Sequence, residues 1–467
     1  MIRTVTTAAD ALMSDPAIGE AKRMMLQVLA EHRSKLTGIR PAHAELRETY
    51  EASIERLSRI RGGNLFHPYL GSGLGRGPLV ELADGSVKYD FVSGIGVHFF
   101  GHSHPDLIDA ALDAALRNTI MQGNLQQNTE SVRLVESLLD AASRYGAPLE
   151  HCFLTTSGAM ANENALKLVF HRHAPADRLL AFEGCFCGRT LALAQITDKP
   201  KDRAGLPTTV HVDYVPFLDA EDPGPSTHKA LAALERHLRS YPGRHAAMIF
   251  ELILGEGGYY AGSREFFTAL MDVLRQHGVA IIIDEIQTFG RTTRPFAFQH
   301  FGLDPCPDVV TVGKLSQVCA TLFAGQYKPS PGLISQTFTA STSAIFAAQR
   351  ILDAFDRGDL FGSEGTIARL SNRFVDRLRA IANRHPRWMR GPFGAGGMIA
   401  FTALDGTAET ARKLVHALFD AGVIAFVAGE DPARVRFLPP MAVLGPADID
   451  AVAVLVEQTL GLTASTL

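Results

Sequence analysis

Cysteine is scarce in this sequence, and no two cysteines stand in the CxxC spacing of a metal or redox site. The 467 residues include five cysteines, an odd number. Disulfide frameworks and structural zinc sites normally depend on regularly spaced pairs. The spacing therefore argues against a disulfide-bonded secreted protein and against a metal site, and it favours a reducing, cytoplasmic location.

Long basic runs and long apolar runs are missing as well. The formal net charge is −4, and no Lys/Arg cluster is present that would follow a phosphate backbone. No stretch reaches the roughly 18 apolar residues that a membrane helix needs, and residues 1–25 contain acids instead of the apolar segment of a secretory signal. We therefore expect a chain that binds neither nucleic acid nor a membrane.

The middle of the chain alternates short apolar runs with amphipathic segments, from about residue 104 to residue 330. Such alternation predicts an α/β domain with a mostly parallel sheet between helices. Ligands of such sheets bind beyond the carboxyl ends of the strands. Those strand ends are therefore the first place to look for functional side chains.

The flanking segments follow different patterns. Residues 77–91 alternate apolar and polar side chains around Asp84-Gly85, which predicts a β-hairpin. Helical and strand-like segments mix from about residue 343 onward, which is typical of a smaller α+β domain. We predict four regions: a helical arm at 1–60, the N-terminal part of the small domain at 61–100, a large domain at 101–345 and the C-terminal part of the small domain at 346–467.

Two neighbouring strand ends carry an acid and a lysine. The apolar run 280–283 ends in Asp284, and the run 309–312 ends in Gly313 and Lys314. A cofactor that contains a pyridine ring and an aldehyde needs such a pair, because a carboxylate keeps the ring nitrogen protonated and an amine binds the aldehyde covalently. A structural ion pair would give the same pattern.

Two further segments suit an anion and an aromatic ring. Ser157, Gly158 and Ala159 follow an apolar run and precede a helix, so they are placed either to bind a phosphate or simply to cap the helix. Phe186 could stack on a cofactor ring while Arg189 binds a substrate carboxylate. A core phenylalanine and a surface arginine would look the same in the sequence.

Taken in order, these segments resemble the class III aminotransferases, which are subgroup II of the fold-type I pyridoxal-phosphate (PLP) enzymes. The resemblance spans about residues 75–460 and implies a large domain with a mostly parallel seven-stranded sheet. The motifs that carry it are Gly101-His102-Ser103-His104-Pro105, Ser157-Gly158-Ala159, Phe186-Cys187-Gly188-Arg189-Thr190, Gly255-Glu256-Gly257-Gly258, Asp284-Glu285-Ile286-Gln287-Thr288, Gly313-Lys314, Thr337-Phe338 and Arg436-Phe437-Leu438-Pro439-Pro440.

The resemblance implies a role for each matching residue in binding PLP. Lys314 would bind the aldehyde and carry protons, Asp284 would face the pyridine nitrogen, and Gln287 would contact the phenolic oxygen. The ring would stack on Phe186. The phosphate would lie at Ser157, Gly158 and Ala159, with Thr337 reaching in from the neighbouring subunit, which implies a homodimer.

The resemblance also implies how two substrates would share one site. Arg436 would bind the α-carboxylate of 2-oxoglutarate or glutamate, and Glu256 would neutralise Arg436 when the amino donor brings no carboxylate there. Arg189 would bind the other carboxylate. A ping-pong transamination follows from this arrangement.

Some departures from the family pattern concern the amino donor. Ile95 stands where ornithine-specific members have a substrate-binding tyrosine, whereas Gln317-Val318-Cys319 resembles the lysine 6-aminotransferases. Ile95 argues against ornithine itself, and the sequence around Lys314 favours a lysine-type or other terminal (ω) amine. The expected donor is an amino acid with a terminal amine, such as lysine, an ornithine derivative or an ω-amino acid. The alternatives are another PLP reaction on the same scaffold (a decarboxylating transaminase, a racemase or an aminomutase) and a non-catalytic relative.

Overall fold

The structure is a computed structural model that describes residues 6–118 and 123–465. The first five residues of the predicted arm and the last two of the predicted C-terminal region lie outside the described residues. The α-helices of the described part are α1 (Ala8–Met13), α2 (Pro16–Ser34), α3 (Ala44–Arg61), α4 (Ser93–Gly96), α5 (Pro105–Ala115), α6 (Thr129–Ser143), α7 (Gly158–Arg172), α8 (Leu191–Ile196), α9 (Pro223–Ser240), α10 (Arg264–Gln276), α11 (Ala297–His300), α12 (Thr342–Phe355), α13 (Thr366–Arg384), α14 (Ala408–Ala421) and α15 (Pro446–Ser465).

Within the described residues, the strands form one large sheet and three smaller ones. They are β1 (Gly71–Arg76), β2 (Leu79–Leu82), β3 (Val87–Asp90), β4 (His151–Thr155), β5 (Arg178–Phe182), β6 (His211–Val215), β7 (His245–Phe250), β8 (Ile253–Leu254), β9 (Tyr260–Ala261), β10 (Ala280–Asp284), β11 (Val309–Val312), β12 (Cys319–Phe323), β13 (Met389–Ala395), β14 (Met398–Ala403), β15 (Val423–Ile424), β16 (Phe426–Ala428) and β17 (Arg434–Phe437).

The large sheet has seven strands in the order β4-β12-β11-β10-β7-β5-β6. Strands β7, β10 and β11 are buried along their whole length, as expected for apolar runs covered on both faces. Helices α6, α7, α9 and α10 pack against the sheet. The predicted α/β class and the mostly parallel seven-stranded sheet of a fold-type I enzyme are confirmed.

One strand of the large sheet is antiparallel to its neighbours. Strand β12 pairs antiparallel with β11 on one side and with β4 on the other, so β4 runs in the same direction as β11. The alternation of runs does not predict β12, because only a short turn separates it from the lysine that follows β11. The carboxyl ends of the six other strands, β4, β11, β10, β7, β5 and β6, therefore lie along one edge of the sheet.

Smaller sheets lie beside the large one and join distant parts of the chain. The predicted hairpin forms between β2 and β3, and β1 extends it by a strand that the sequence pattern did not indicate. Strand β15 pairs parallel with β3, with Val423 opposite Tyr89. Strands β13, β14, β17 and β16 form an antiparallel sheet, and β17 carries Arg436. The four region boundaries stay a prediction.

Helix α4 is a left-handed turn. Its four residues have positive φ angles: Ser93 50°, Gly94 62°, Ile95 59° and Gly96 84°. A β-branched residue such as isoleucine rarely adopts this conformation, because its Cβ crowds the backbone. Asp90 stabilises the start of the turn by accepting hydrogen bonds from the N–H groups of Val92 and Ser93 at 3.1 and 2.7 Å.

Candidate active site

Lys314 follows the carboxyl end of β11, one residue beyond Gly313. Its backbone has a φ of 51°, an uncommon conformation that often accompanies functional residues. The side chain is partly exposed to a cavity. Burial lowers the pKa of Lys314 to about 8, against the opposing charge of Glu256. Roughly a tenth of the amine is therefore neutral, and so nucleophilic, at pH 7, far more than for a lysine with the ordinary pKa.

Asp284 ends the neighbouring strand β10 and is almost fully buried. Its Oδ1 accepts a hydrogen bond from the backbone N–H of Ile286 at 2.9 Å, and its Oδ2 accepts one from Nδ2 of Asn162 at 2.8 Å. Burial raises the pKa of Asp284 to about 6, while the Asn162 hydrogen bond acts in the opposite direction. The two bonds fix both carboxylate oxygens, so Asp284 is rigidly oriented at the strand end.

Glu251 is a second buried acid at this edge, immediately after β7. Its two oxygens accept hydrogen bonds from the backbone N–H groups of Phe186 and Gly255 at 3.0 and 2.9 Å. Burial, reinforced by the nearby Asp284, raises the pKa of Glu251 to about 8. The sequence pattern gave Glu251 no role, although its place at the end of a buried strand was visible.

The predicted phosphate loop forms the start of α7. Ser157 is the N-cap residue, and its Oγ accepts a hydrogen bond from the N–H of Met160 at 3.2 Å. In this structure Ser157 therefore caps the helix, which is one of the two roles that its sequence position allows. Gly158 and Ala159 line the same cavity as Lys314. The first backbone N–H groups of any helix are free to bind an anion, and Gly158 and Ala159 lie where those groups begin.

Phe186 and Arg189 also line the cavity. The guanidinium carbon of Arg189 is 5.5 Å from the centre of the Phe186 ring. Arg189 Nη1 donates a hydrogen bond to Asp202 at 2.9 Å, and 68% of its side chain is exposed. Arg189 therefore stands at the open mouth of the cavity with a carboxylate already bound.

Arg436 and Glu256 form an ion pair beside the cavity. Arg436 Nη2 is 2.6 Å from Glu256 Oε1, and the arginine side chain has no exposed surface. Arg436 Nη1 also meets the carbonyl of Gly255 at 3.3 Å and the Oε1 of Gln287 at 3.5 Å. Burial on its own would raise the pKa of Glu256, but Arg436 and Lys314 outweigh it and hold that pKa low. Glu256 is therefore ionised.

Gln287 connects this ion pair to the cavity. It is buried, it lines the cavity with Lys314 and Asp284, and its Oε1 points at Arg436. The cavity measures about 330 Å³, a size suited to a small organic ligand. The lining residues are Gly158, Ala159, Phe186, Cys187, Gly188, Arg189, Glu251, Asp284, Ile286, Gln287 and Lys314.

Five of the predicted site residues are not among these lining residues: Ser157, Glu256 and Arg436, which adjoin residues of the lining, and Ile95 and Thr337. Ile95 packs in the apolar clusters that include Val92 and Tyr259. Thr337 is exposed. A larger cleft of about 530 Å³ lies between the β2–β3 hairpin and the C-terminal end of α14, away from the strand ends that carry the lysine and the acids.

Asn162, like Glu251, is a side chain of the site to which the sequence pattern gave no role. It lies in the first turn of α7 and is fully buried. The motif around it was recognised, but no role was given to its amide. A polar residue among the apolar residues of a buried helix was the available signal, since buried amides need partners.

Two classes of site are not found in the part of the chain that the structure describes. No group of three or more His, Cys, Asp or Glu side chains there is arranged to bind a metal ion. Within residues 6–118 and 123–465, each helix is too short or too polar to cross a lipid bilayer.

The sequence matches a known family along most of its length. The family model described as aminotransferase class-III matches residues 71–460. An acetylornithine aminotransferase of Archaeoglobus fulgidus is 30% identical over 377 residues, which cover 79% of this chain and 90% of that protein. A 2-aminoadipate transaminase of Pseudomonas putida is 32% identical over 389 residues, covering 79% of this chain and 90% of that protein.

The fold is also similar to solved structures. Lysine aminotransferase from M. tuberculosis, solved in its internal aldimine form, superposes with a TM-score of 0.79 at 25% sequence identity. The match covers 88% of this chain and 99% of that one. Helices α1, α2 and α3 all precede the residues matched by the family model.

Proposed function

Because the chain belongs to the class III aminotransferases, which are PLP-dependent enzymes, we propose that it transfers a terminal (ω) amino group of an amino acid to 2-oxoglutarate. Lysine, an ornithine derivative or an ω-amino acid is the proposed donor. The names of two similar proteins, acetylornithine aminotransferase and lysine aminotransferase, support this donor class. The proposed reaction is ping-pong, with glutamate as the second product.

The residues around the cavity fit PLP. One space of about 330 Å³ brings together an amine (Lys314), a carboxylate (Asp284), an aromatic ring (Phe186) and a helix N-terminus (Gly158). These groups match the aldehyde, pyridine nitrogen, ring face and phosphate of the cofactor. When bound, PLP supplies an aldehyde that takes up the amino group and a ring that accepts electrons from the substrate.

The roles proposed for the cofactor-binding residues follow from their positions. Ser157, Gly158 and Ala159 would hold the phosphate at the start of α7, where backbone N–H groups and the helix dipole favour an anion. Phe186 would stack on the ring. Gln287 would donate a hydrogen bond to the phenolic oxygen while its Oε1 accepts from Arg436.

Lys314 would carry the proton that moves during transamination. Its amine has a pKa lowered to about 8, mainly by burial, so it can both accept and return a proton near neutral pH. Asp284 would stay ionised opposite the ring nitrogen. Its two fixed oxygens favour this role, because a preoriented charge needs no rearrangement during the reaction.

The ion pair between Arg436 and Glu256 is the main observation that supports an ω-amine donor together with 2-oxoglutarate as the acceptor. A buried arginine without an anionic partner is costly. Glu256 supplies that partner when the donor presents only its terminal amine and leaves Arg436 without a carboxylate. When 2-oxoglutarate enters, its carboxylate would take the place of Glu256 on the guanidinium. One site can then accept two substrates of different charge.

Arg189 would bind the far carboxylate of 2-oxoglutarate. Its exposed position at the mouth of the cavity supports this role, and release of Asp202 would free its guanidinium.

Two further residues have proposed roles. Ile95 would contact the amino donor, at the position where ornithine-specific members carry a tyrosine. Thr337 would reach the phosphate of a partner subunit in a homodimer, in keeping with its exposure on its own chain. The cytoplasmic location stays a prediction.

A half-reaction screen tests the proposal. The purified PLP form is mixed with lysine, ornithine, N-acetylornithine, 4-aminobutyrate or glutamate, and loss of the visible cofactor absorbance is followed. We expect at least one ω-amine and glutamate to bleach the absorbance, and 2-oxoglutarate to restore it. Turnover of a donor without any keto acid would instead indicate a racemase or an aminomutase and refute the proposed acceptor.

A further inference from the structure

The side-chain amide of Asn162 contacts three segments of the site at once. Its Nδ2 donates to Asp284 Oδ2 at 2.8 Å and to the carbonyl of Cys187 at 2.8 Å. Its Oδ1 accepts from the hydroxyl of Thr311 at 2.7 Å. Asn162 has no exposed surface, so these three partners account for its hydrogen bonds without solvent.

The chemistry of the partners fixes the orientation of the amide. A carboxylate oxygen and a backbone carbonyl can only accept, so both must face the NH₂ group. The hydroxyl of Thr311 then donates to the remaining oxygen. A rotated amide would place its oxygen against two acceptors, which is unfavourable. The network therefore has one satisfied arrangement.

Each partner belongs to a different part of the cavity wall. Asp284 ends β10, and Cys187 follows Phe186 in the loop after β5. Thr311 lies opposite Asp284 in the β10–β11 pairing and three residues before Lys314. A single amide thus joins the strand of the acid, the loop of the aromatic ring and the strand that leads to the lysine.

We propose that Asn162 is a positioning residue for the cofactor, which holds Asp284 in its orientation and keeps it in register with the loop of Phe186 and with β11. This inference rests on the proposed function of the site. Asn162 touches Asp284 but does not line the cavity, so it acts on the cofactor through Asp284. The network also keeps the carboxylate ionised, because two N–H donors, from Asn162 and Ile286, bind the charged form.

If Asn162 only stabilised the fold, its loss would not change the properties of the bound cofactor. A neighbouring buried residue provides a matched control. Thr321 is also fully buried, and its hydroxyl donates to the carbonyl of Ala161 at 2.8 Å. That bond holds the same turn of α7 but does not reach Asp284. The variant T321V should therefore lower the stability of the fold and leave the properties of the bound cofactor unchanged.

The test compares N162D, N162A and T321V with the wild type as full-length holoenzymes. Asn162→Asp keeps the size of the side chain but replaces both N–H donors with a second carboxylate beside Asp284. If only shape mattered, N162D would behave like the wild type and N162A would be the worse variant. If the hydrogen bond to Asp284 matters, N162D is at least as impaired as N162A.

Three readouts are measured: the dissociation constant of PLP, the pH dependence of the absorbance of the bound cofactor, and the half-reaction with glutamate. For N162D and N162A we expect PLP to bind roughly 10- to 100-fold more weakly, as for loss of a hydrogen bond to a charged group. The absorbance transition moves to higher pH, because Asp284 without the Asn162 donor holds a proton more tightly. The rate at saturating glutamate falls roughly 10- to 100-fold, with a smaller change in KM.

Failure of this inference can be told from failure of the proposed function. A wild-type protein without a visible cofactor absorbance, or without transfer to a keto acid, would overturn both. An active wild type whose N162D and N162A variants match T321V in all three readouts would overturn the role of Asn162 alone. If N162D does not fold, N162A and Asn162→Ser, which retains one donor, decide by the same comparison.

Discussion

Arg436 and Glu256 are separated by 180 positions in the sequence, yet Arg436 Nη2 and Glu256 Oε1 lie 2.6 Å apart. The arginine side chain is wholly buried, whereas 20% of the glutamate side chain is exposed. The pair is therefore asymmetric. The arginine is fixed by its surroundings, and the glutamate is the member with room to move.

Replacing Glu256 with glutamine should separate the two substrate classes. E256Q leaves Arg436 charged and unpaired, which should lower the free energy of unfolding by about 3 kcal/mol. The half-reaction with an ω-amine should slow at least tenfold or so in kcat/KM, while glutamate, which brings its own carboxylate, should react within about threefold of the wild-type rate. Stopped-flow half-reactions measure both values.

The control for this variant is E235Q, which breaks an exposed pair with Arg239 at 3.1 Å on α9. Its effect on stability should be under about 1 kcal/mol, because surface pairs contribute little. Equal slowing of the two half-reactions in E256Q would contradict the exchange of partners on Arg436.

Removing Lys314 should abolish the covalent attachment of PLP. K314A should lose the visible absorbance of the bound cofactor and at least about 1000-fold of the turnover, because the variant lacks both the nucleophile and the proton carrier. Absorbance spectra of the purified protein provide the measurement. K328A, which removes an exposed lysine, should resemble the wild type. If K314A kept the visible absorbance of the wild type, a lysine other than Lys314 would bind the cofactor.

The lowered pKa of Lys314 predicts how the protein without PLP takes up the cofactor at different pH. Only the neutral amine is nucleophilic, so the rate of attachment should rise about tenfold per pH unit and level off near pH 8. Stopped-flow mixing with PLP between pH 6 and 10 follows the rate. E256Q should shift the midpoint downward, because Glu256 stabilises the protonated amine. A rate still rising tenfold per unit above pH 9 would indicate an unperturbed lysine.

Replacing Asp284 with asparagine should retain the fold, weaken PLP binding at least as much as N162A does, and slow proton abstraction. We expect kcat to fall roughly 100-fold or more, since a fixed charge at the reacting ring is lost. D308N is the control, because Asp308 lies at the opposite end of the same strands and accepts from the N–H of Ile281 at 2.9 Å. Near-normal kcat in D284N would exclude the proposed role of Asp284.

Alanine at position 158 should disturb the phosphate loop. A Cβ on Gly158 would lie 2.9 Å from two carbons of Ile286, too close without a shift of that side chain toward the cavity. We expect G158A to bind PLP roughly tenfold more weakly, and the double variant G158A/I286A to regain part of the affinity. G224A, where a Cβ would meet nothing within 4 Å, should bind normally. Normal affinity in G158A would place the phosphate elsewhere.

Much of the architecture could be predicted from local patterns. The run that becomes β10 is buried at every position, and Asp284 at its end could be placed because apolar runs of this length form buried strands. The hairpin of β2 and β3 follows from Asp84-Gly85, and Gly85 has the positive φ of 79° that such a turn needs. The same reasoning did not predict β12, because its pairing with β4 depends on contacts between residues far apart in the chain.

The sequence by itself determined the residue types and the strand ends at which they stand: the amine of Lys314, the carboxylate of Asp284 and the glycine at 158. The spacing of apolar residues indicates which face of each segment is buried. The order of the motifs along the chain indicates the family. Only the tertiary structure decided which side chains meet. It showed the contact between Glu256 and Arg436 that the family resemblance implies, left Thr337 exposed and placed Ile95 in a left-handed turn. It also placed the amide of Asn162 between Asp284, Cys187 and Thr311, because a hydrogen bond between distant residues depends on strand order and helix packing, which no local pattern encodes.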